Sequence, residues 1–169
     1  LSLFFSIILK WKSNALAISK IITKPETSIG LLLSRIEAIE LLHEYTKTDS
    51  LRRHALGVEQ AMRKMSENYG GDPDEWGLTG LMHDFDYEKY PSMEDHPYRG
   101  NEILNKKGWP ESITKAIMGH ATYTGVPRDT DMAKSLFAVD ELTGFIFAVT
   151  YVRPSKSIFE VKPKSVKKK

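Results

Sequence analysis

The chain is read as an all-α protein, a compact bundle of five to seven helices with no substantial sheet. Three observations carry this reading. Apolar residues recur at spacings of three and four through most of the sequence, no segment alternates convincingly with period two, and the periodic stretches are bounded by proline, glycine and short polar capping residues.

Ser34-Arg-Ile-Glu37 has the form of a capping box, and Ile36, Ile39, Leu42 and Tyr45 follow on one helical face. Thr48 or Asp49 can cap a second helix with the stripe Leu51, Ala55, Val58, Met62, Met65 and Tyr69, which Gly70-Gly71 ends. Asp72-Pro73-Asp74-Glu75 supplies an N-cap, a proline at the first helical position and acids in the first turn of a third helix reaching about His83. Pro91 bars a long continuation, and Pro97 and Pro110 each open another helix, with Gly108 between them. Ile113, Ala116, Ile117 and His120 share a face, residues 121–130 read as a loop, and Thr130 or Asp131 caps the longest apolar helix. Its stripe is Met132, Leu136, Val139, Thr143 and Phe147, and Pro154 follows its end.

At 169 residues, 41% hydrophobic and 27% charged, the chain has the balance of one globular domain with a real core. The sequence contains no cysteine, which excludes a disulfide framework, a thiolate metal site and a cysteine nucleophile, and fits a cytoplasmic protein. Five lysines fall in the last eight residues; removing them from a net charge of +2 leaves −3, so the body is mildly acidic. Stable nucleic-acid binding is therefore not expected. The basic tail, residues 161–169, could touch phosphate or anionic lipid, but a solvated charge run is the plainer reading. It ends abruptly, as though a final helix were cut. The apolar run Leu1–Leu9 is too short to span a bilayer. Residues 1–30 read as a leader or poorly ordered arm, or as non-native sequence, with a peripheral membrane anchor as the minor alternative. The domain proper is expected over 31–160.

Function is sought in polar residues standing where apolar ones belong. His54 lies three residues after Leu51 and four before Val58, and so points inward. His120 shares a face with Ile113 and Ile117. Asp140 sits within the most apolar helix, where a carboxylate is costly unless a cation or several donors meet it. His83-Asp84 ends the third helix and His96 starts another. Imidazole and carboxylate suit iron, manganese, zinc or magnesium. His54, His83, Asp84 and Asp140 could hold one cation, and His96 and His120, with the second oxygen of Asp84, another. A lone inward histidine is more often a hydrogen-bonded core residue than a ligand, and Asp140 alone could pair with an arginine. Taken together, such readings need several unrelated buried polar solutions on different helices.

The ordered set His54, His83-Asp84, His96, His120 and Asp140 resembles the HD superfamily of metal-dependent phosphohydrolases. Leu51-Arg-Arg-His54-Ala-Leu-Gly-Val resembles its first-histidine helix, and Gly80-Leu-Met-His83-Asp84-Phe its HD helix. His96-Pro-Tyr-Arg-Gly100-Asn-Glu-Ile103-Leu104 resembles the third-histidine segment of the HDIG-type subgroup. Ala116-Ile-Met-Gly-His120 and Ala138-Val-Asp140-Glu-Leu-Thr resemble the fourth histidine and the closing aspartate. The resemblance covers about residues 34–160. It implies an all-helical domain carrying one or two divalent ions (Mn²⁺, Fe²⁺, Co²⁺, Zn²⁺ or Mg²⁺). His54, His83, Asp84 and Asp140 match the primary ligands, His96 and His120 the extra histidines of binuclear members, and Asp84 the bridge. Phe85-Asp86 replaces the subgroup's Ile-Gly, no lysine stands at Tyr87, and Ala121 follows His120. The signature of cyclic-dinucleotide phosphodiesterases is thus incomplete.

The activity implied is hydrolysis of a phosphomonoester or phosphodiester, of a nucleotide or related small molecule, by metal-activated water attacking in line. Asp86 or Glu88 could orient that water or shuttle a proton, alongside Asp84. Arg153 and Lys156, in Arg153-Pro-Ser-Lys-Ser, carry charge suited to a substrate phosphate. Tyr87, Tyr90 and Tyr123 could line a base or sugar pocket. The sequence contains no Walker phosphate loop, dinucleotide glycine fingerprint, zincin pair or nucleophile elbow. Two alternatives share the ligand set: a non-catalytic ligand-binding module of the same fold, and a diiron oxygenase.

Overall fold

The computed structural model describes residues 28–167; most of the expected leader and the last two lysines of the tail lie outside the described residues. Among the described residues there are seven α-helices: α1 (Ser28–Tyr45), α2 (Asp49–Tyr69), α3 (Pro73–Met82), α4 (Tyr98–Lys106), α5 (Glu111–His120), α6 (Asp131–Tyr151) and α7 (Pro163–Lys167). Short 3₁₀ turns follow α5 at Thr122–Thr124 and α6 at Ile158–Glu160. Among the described residues there is no strand, as the sequence predicts, and no helix is long and apolar enough to cross a membrane.

The chain divides into two compact units after Glu37, and the second, from Ala38 onward, contains α2 to α7. Within it, helix α2 packs against α3 and α6, and α5 packs against α3, α4 and α6. The core between them holds Val58 and Met62 of α2, Trp76 of α3, Ala116 of α5, and Met132, Ala133, Leu136 and Val139 of α6. Burying a side chain such as Met62 or Leu136 completely contributes about 1.5–3 kcal/mol. Close approach of α3 to α2 is made possible by Gly80, where a Cβ would stand 2.8 Å from the Val58 carbonyl oxygen. Arg63 closes the α2–α3 hairpin by donating to Glu59, Asp74 and the Pro73 carbonyl.

Most boundaries follow the local chemistry. The Asp72 carboxylate accepts from the Asp74 and Glu75 amides, Thr130 accepts from the Ala133 amide, and Gly70 ends α2 at φ +69°. Helix α1 departs from expectation. It begins at Ser28 and runs through Gly30 and Ser34, so Ser34 is not an N-cap. One glycine does not stop a helix when apolar helix formers such as Leu31, Leu32 and Leu33 follow it. The buried face is also rotated: Ala38, Leu41 and Leu42 are buried, whereas Ile36 is exposed. Thr48 precedes α2 but makes no side-chain cap. The Glu88 carboxylate caps instead, accepting from the Lys47 and Thr48 amides and the Thr48 hydroxyl at 2.7–3.0 Å.

Candidate metal centre

Five separate elements deliver six side chains to one place. His54 comes from the inner face of α2, and Asp140 from the middle of α6, which packs against it. His83 and Asp84 immediately follow α3, His96 precedes α4, and His120 is the last residue of α5. The helix ends matter because terminal carbonyls lack an intrahelical donor. His83 Nδ1 donates to the Gly80 carbonyl at 2.7 Å, and His120 Nδ1 to the Ile117 carbonyl at 2.5 Å. Each ring is thereby locked by the turn just before it.

With Nδ1 occupied, each Nε2 turns toward the aspartates. His54 Nε2 lies 2.9 Å from Asp140 Oδ1. His83 Nε2 lies 3.3 Å from Asp140 Oδ1 and 3.4 Å from Asp84 Oδ2. On the other side, Asp84 Oδ1 meets His120 Nε2 at 3.1 Å and His96 Nε2 at 3.2 Å. Two groups result, His54/His83/Asp84/Asp140 and Asp84/His96/His120, and within each the ligand atoms lie within 4.8 Å of one another. Asp84 belongs to both. His83 is fully buried, while the side chains of His54, Asp84 and Asp140 keep 19–26% exposure, so the cluster has an open side.

The charges are strongly coupled. Burial disfavours a charged His83, but the carboxylates of Asp84 and Asp140 outweigh it and hold the pKa well above the usual histidine value. Burial likewise opposes an ionised Asp84, and His83, His120 and His96 overcome it, keeping that carboxyl well below the usual range. Asp140 is lowered against the same opposition by His54 and His83. His96 is raised to about 9, where burial is outweighed by Asp84 and Asp86.

The donor set fits a divalent cation. His83 Nε2 is a buried polar atom without a hydrogen-bond partner, held toward two carboxylate oxygens. With Nδ1 donating to Gly80, Nε2 is the atom that faces the two carboxylates, and a divalent cation between them would take the place of the proton that their charge holds on the ring. Nitrogen and oxygen donors in this mixture suit manganese, iron, zinc or magnesium.

Residues 51–143 match the family model of the HD domain, and all six cluster residues lie within the matched segment. The chain belongs to the HD domain family. HD domains form a superfamily of metal-dependent hydrolases, and the match spans α2 to the middle of α6, the elements that build the cluster. No curated protein and no solved structure matches this HD-domain chain.

The remaining residues singled out in the sequence fall elsewhere. Asp86 is not a loop carboxylate free to orient water. It is buried, accepting from His96 Nδ1 at 2.8 Å and from the Gly100 amide at 2.7 Å. Glu88 is engaged in capping α2. At about 1.5 Å rise per residue, Tyr151 lies roughly 16 Å along α6 from Asp140. Arg153 and Lys156 follow in the turn beyond the end of α6.

Sequence reasoning missed the groups that aim the histidines: the Gly80 and Ile117 carbonyls, Asp86, and Tyr123, whose hydroxyl donates to the His96 carbonyl at 2.7 Å. One signal was available. Gly100, in the first turn of α4, leaves the space Asp86 fills, for a Cβ there would stand 2.6 Å from the Asp86 carboxyl carbon.

Proposed function

We propose that this HD domain is a phosphohydrolase that cleaves a phosphomonoester or phosphodiester of a small molecule at a centre holding one or two divalent ions. The observation that carries the reading is the shared carboxylate. Asp84 directs Oδ2 to His83 and Oδ1 to His96 and His120, so one residue joins two groups of ligand type. His54, His83, Asp84 and Asp140 would hold one ion, and Asp84, His96 and His120 the other.

A divalent ion in such a site lowers the pKa of water toward neutrality and offsets charge on phosphoryl oxygens. The chain's own part is positioning. The Gly80 and Ile117 carbonyls hold the Nδ1 atoms of His83 and His120, so both rings turn Nε2 toward the cluster, where its lone pair would meet a bound ion. Asp86 does the same for His96 and is assigned here as a positioning residue. The fully buried His83 forms a dry floor, and the partial exposure of Asp84 and Asp140 leaves the phosphate a way in. The pairing of aspartates with histidines balances charge before an anionic substrate arrives.

The test screens the full chain over nucleotides, simple phosphomonoesters and simple phosphodiesters with Mn²⁺, Fe²⁺, Co²⁺ and Mg²⁺, reading phosphate release from the monoesters and alcohol release from the diesters. Release that depends on added metal and is lost in Asp84→Ala is the expected result. A metal-loaded protein that hydrolyses none of them would overturn the reading in favour of a binding module.

A further inference from the structure

Three tyrosines stand in a regular relation to one half of the cluster. Tyr87 follows Asp84 by three residues, Tyr98 follows His96 by two, and Tyr123 follows His120 by three. Each comes from a different element: the turn after α3, the start of α4 and the 3₁₀ turn after α5. All three are more than a third exposed, at 42%, 37% and 41%. Tyr87 and Tyr123 are nevertheless anchored at a buried residue. The Tyr87 ring meets the His96 ring edge-on, with centroids 5.3 Å apart, and the Tyr123 hydroxyl donates to the His96 carbonyl at 2.7 Å. The Tyr123 hydroxyl pKa is raised first by burial and then by the charges of Asp84, Tyr98, Asp86 and Tyr87, so all of these lie within its electrostatic reach.

A tyrosine whose ring serves only the core would hide that ring. Here the Tyr87 and Tyr123 rings remain open to solvent at His96, whose Nε2 lies 3.2 Å from the partly exposed Asp84 carboxylate, and Tyr98 stands two residues from the same histidine. Aromatic faces in such a place hold a flat ring by stacking, with little dependence on its identity. We propose that Tyr87, Tyr98 and Tyr123 form an aromatic rim that binds the ring-bearing part of a phosphate ester whose phosphate lies at the Asp84/His96/His120 group. The ligand class is an ester of phosphate with an alcohol carrying a flat ring, either a nucleoside or a simple aryl alcohol. This inference rests on the phosphohydrolase reading for the place of the phosphate, and on the three rings for the place of the alcohol.

The experiment compares adenosine 5′-monophosphate and 1-naphthyl phosphate with glycerol phosphate on the Mn²⁺-loaded full chain. Separately, saturation-transfer NMR detects adenosine and 1-naphthyl phosphate on metal-stripped protein. The rim predicts kcat/KM at least about tenfold higher for a ring-bearing ester than for glycerol phosphate, the order of one lost stacking contact. It also predicts ring-proton saturation transfer without metal. Tyr87→Leu reduces the ring-to-alkyl ratio about tenfold through KM and abolishes the NMR signal, while Tyr87→Phe keeps both. The two ring-bearing arms tell a nucleobase from a plain aryl group. Equal kcat/KM for ring-bearing and alkyl esters, or a Tyr87→Leu variant that lowers both in proportion, overturns the rim while leaving the hydrolase reading intact. If no ester releases phosphate, the hydrolase reading fails and the NMR arm alone decides the rim: ring binding that Tyr87→Leu removes supports it, and absence of binding overturns it.

Discussion

His83 Nε2 lies 3.3 Å from Asp140 Oδ1 while the same ring's Nδ1 donates to the Gly80 carbonyl at 2.7 Å. One nitrogen is fixed by the helix end just before it, and the other is held out to a carboxylate from the far end of the sequence. In this chain ordinary helix termination thereby aims a side chain of ligand type. The unsatisfied carbonyl at the end of α3 sets the ring, and the α2–α3–α6 packing sets what the ring faces.

Metal binding should displace protons. His96 has a pKa of about 9 in the folded chain against an ordinary value of 6.5. A raised histidine pKa contributes stability that is fully present below 6.5 and is lost as pH rises through about 9. A cation needs the unprotonated ring, so metal affinity rises with pH across that same window, by up to about tenfold per unit for each proton released. Calorimetric titration of Mn²⁺ in buffers of different ionisation enthalpy is expected to show net proton release near neutral pH. A buffer-independent enthalpy and a flat affinity profile would count against the cluster as described.

Asp86→Ala removes the acceptor that holds His96 Nδ1 and the Gly100 amide. Two buried donors lose their partner, at a cost of about 1–3 kcal/mol in stability. Loss of the residue that aims a ligand should weaken metal binding roughly 10–100-fold. Urea unfolding and competitive metal titration measure the two effects. A variant with wild-type metal affinity would remove Asp86 from the account of His96.

Gly80→Ala tests the packing that brings α3 onto α2. The added methyl would meet the Val58 carbonyl oxygen at 2.8 Å and the Met62 side chain at 2.9 Å. Backbone cannot yield as a side-chain tip can, so stability should fall by about 1–3 kcal/mol. Unchanged urea stability would mean that the two helices are free to separate slightly.

Glu88→Ala separates capping from chemistry. Its carboxylate serves the Lys47 and Thr48 amides and the Thr48 hydroxyl. The variant should melt at a somewhat lower temperature and keep its metal content and phosphate release. A loss of turnover with unaltered melting would return Glu88 to the reaction.

What the sequence made legible was local. Periodicity gave the helices because the buried stripe of α2, Ala55–Val58–Met62, is a property of one segment, and Asp72, Thr130 and Gly70 announced their own ends. The six ligand-type residues stood out because each is polar where its own helix is apolar, or sits at a helix end beside the core. The roles of Asp86 and Glu88 were not legible. The partners that define them are ten to fourteen and about forty residues away, and no spacing rule connects them. The same holds for Tyr123 and the His96 carbonyl. The start of α1 was misplaced for the opposite reason: a capping pattern at Ser34 is a local signal that an uninterrupted helix overrode.

The central claim is that these six side chains bind divalent metal together, with Asp84 common to both groups. Elemental analysis of the full chain, loaded with Mn²⁺ and desalted, tests it most directly beside Asp84→Ala treated in parallel. The account predicts one or two ions per wild-type chain and almost none in the variant, with both proteins folded by circular dichroism. Wild-type metal content in folded Asp84→Ala would contradict it.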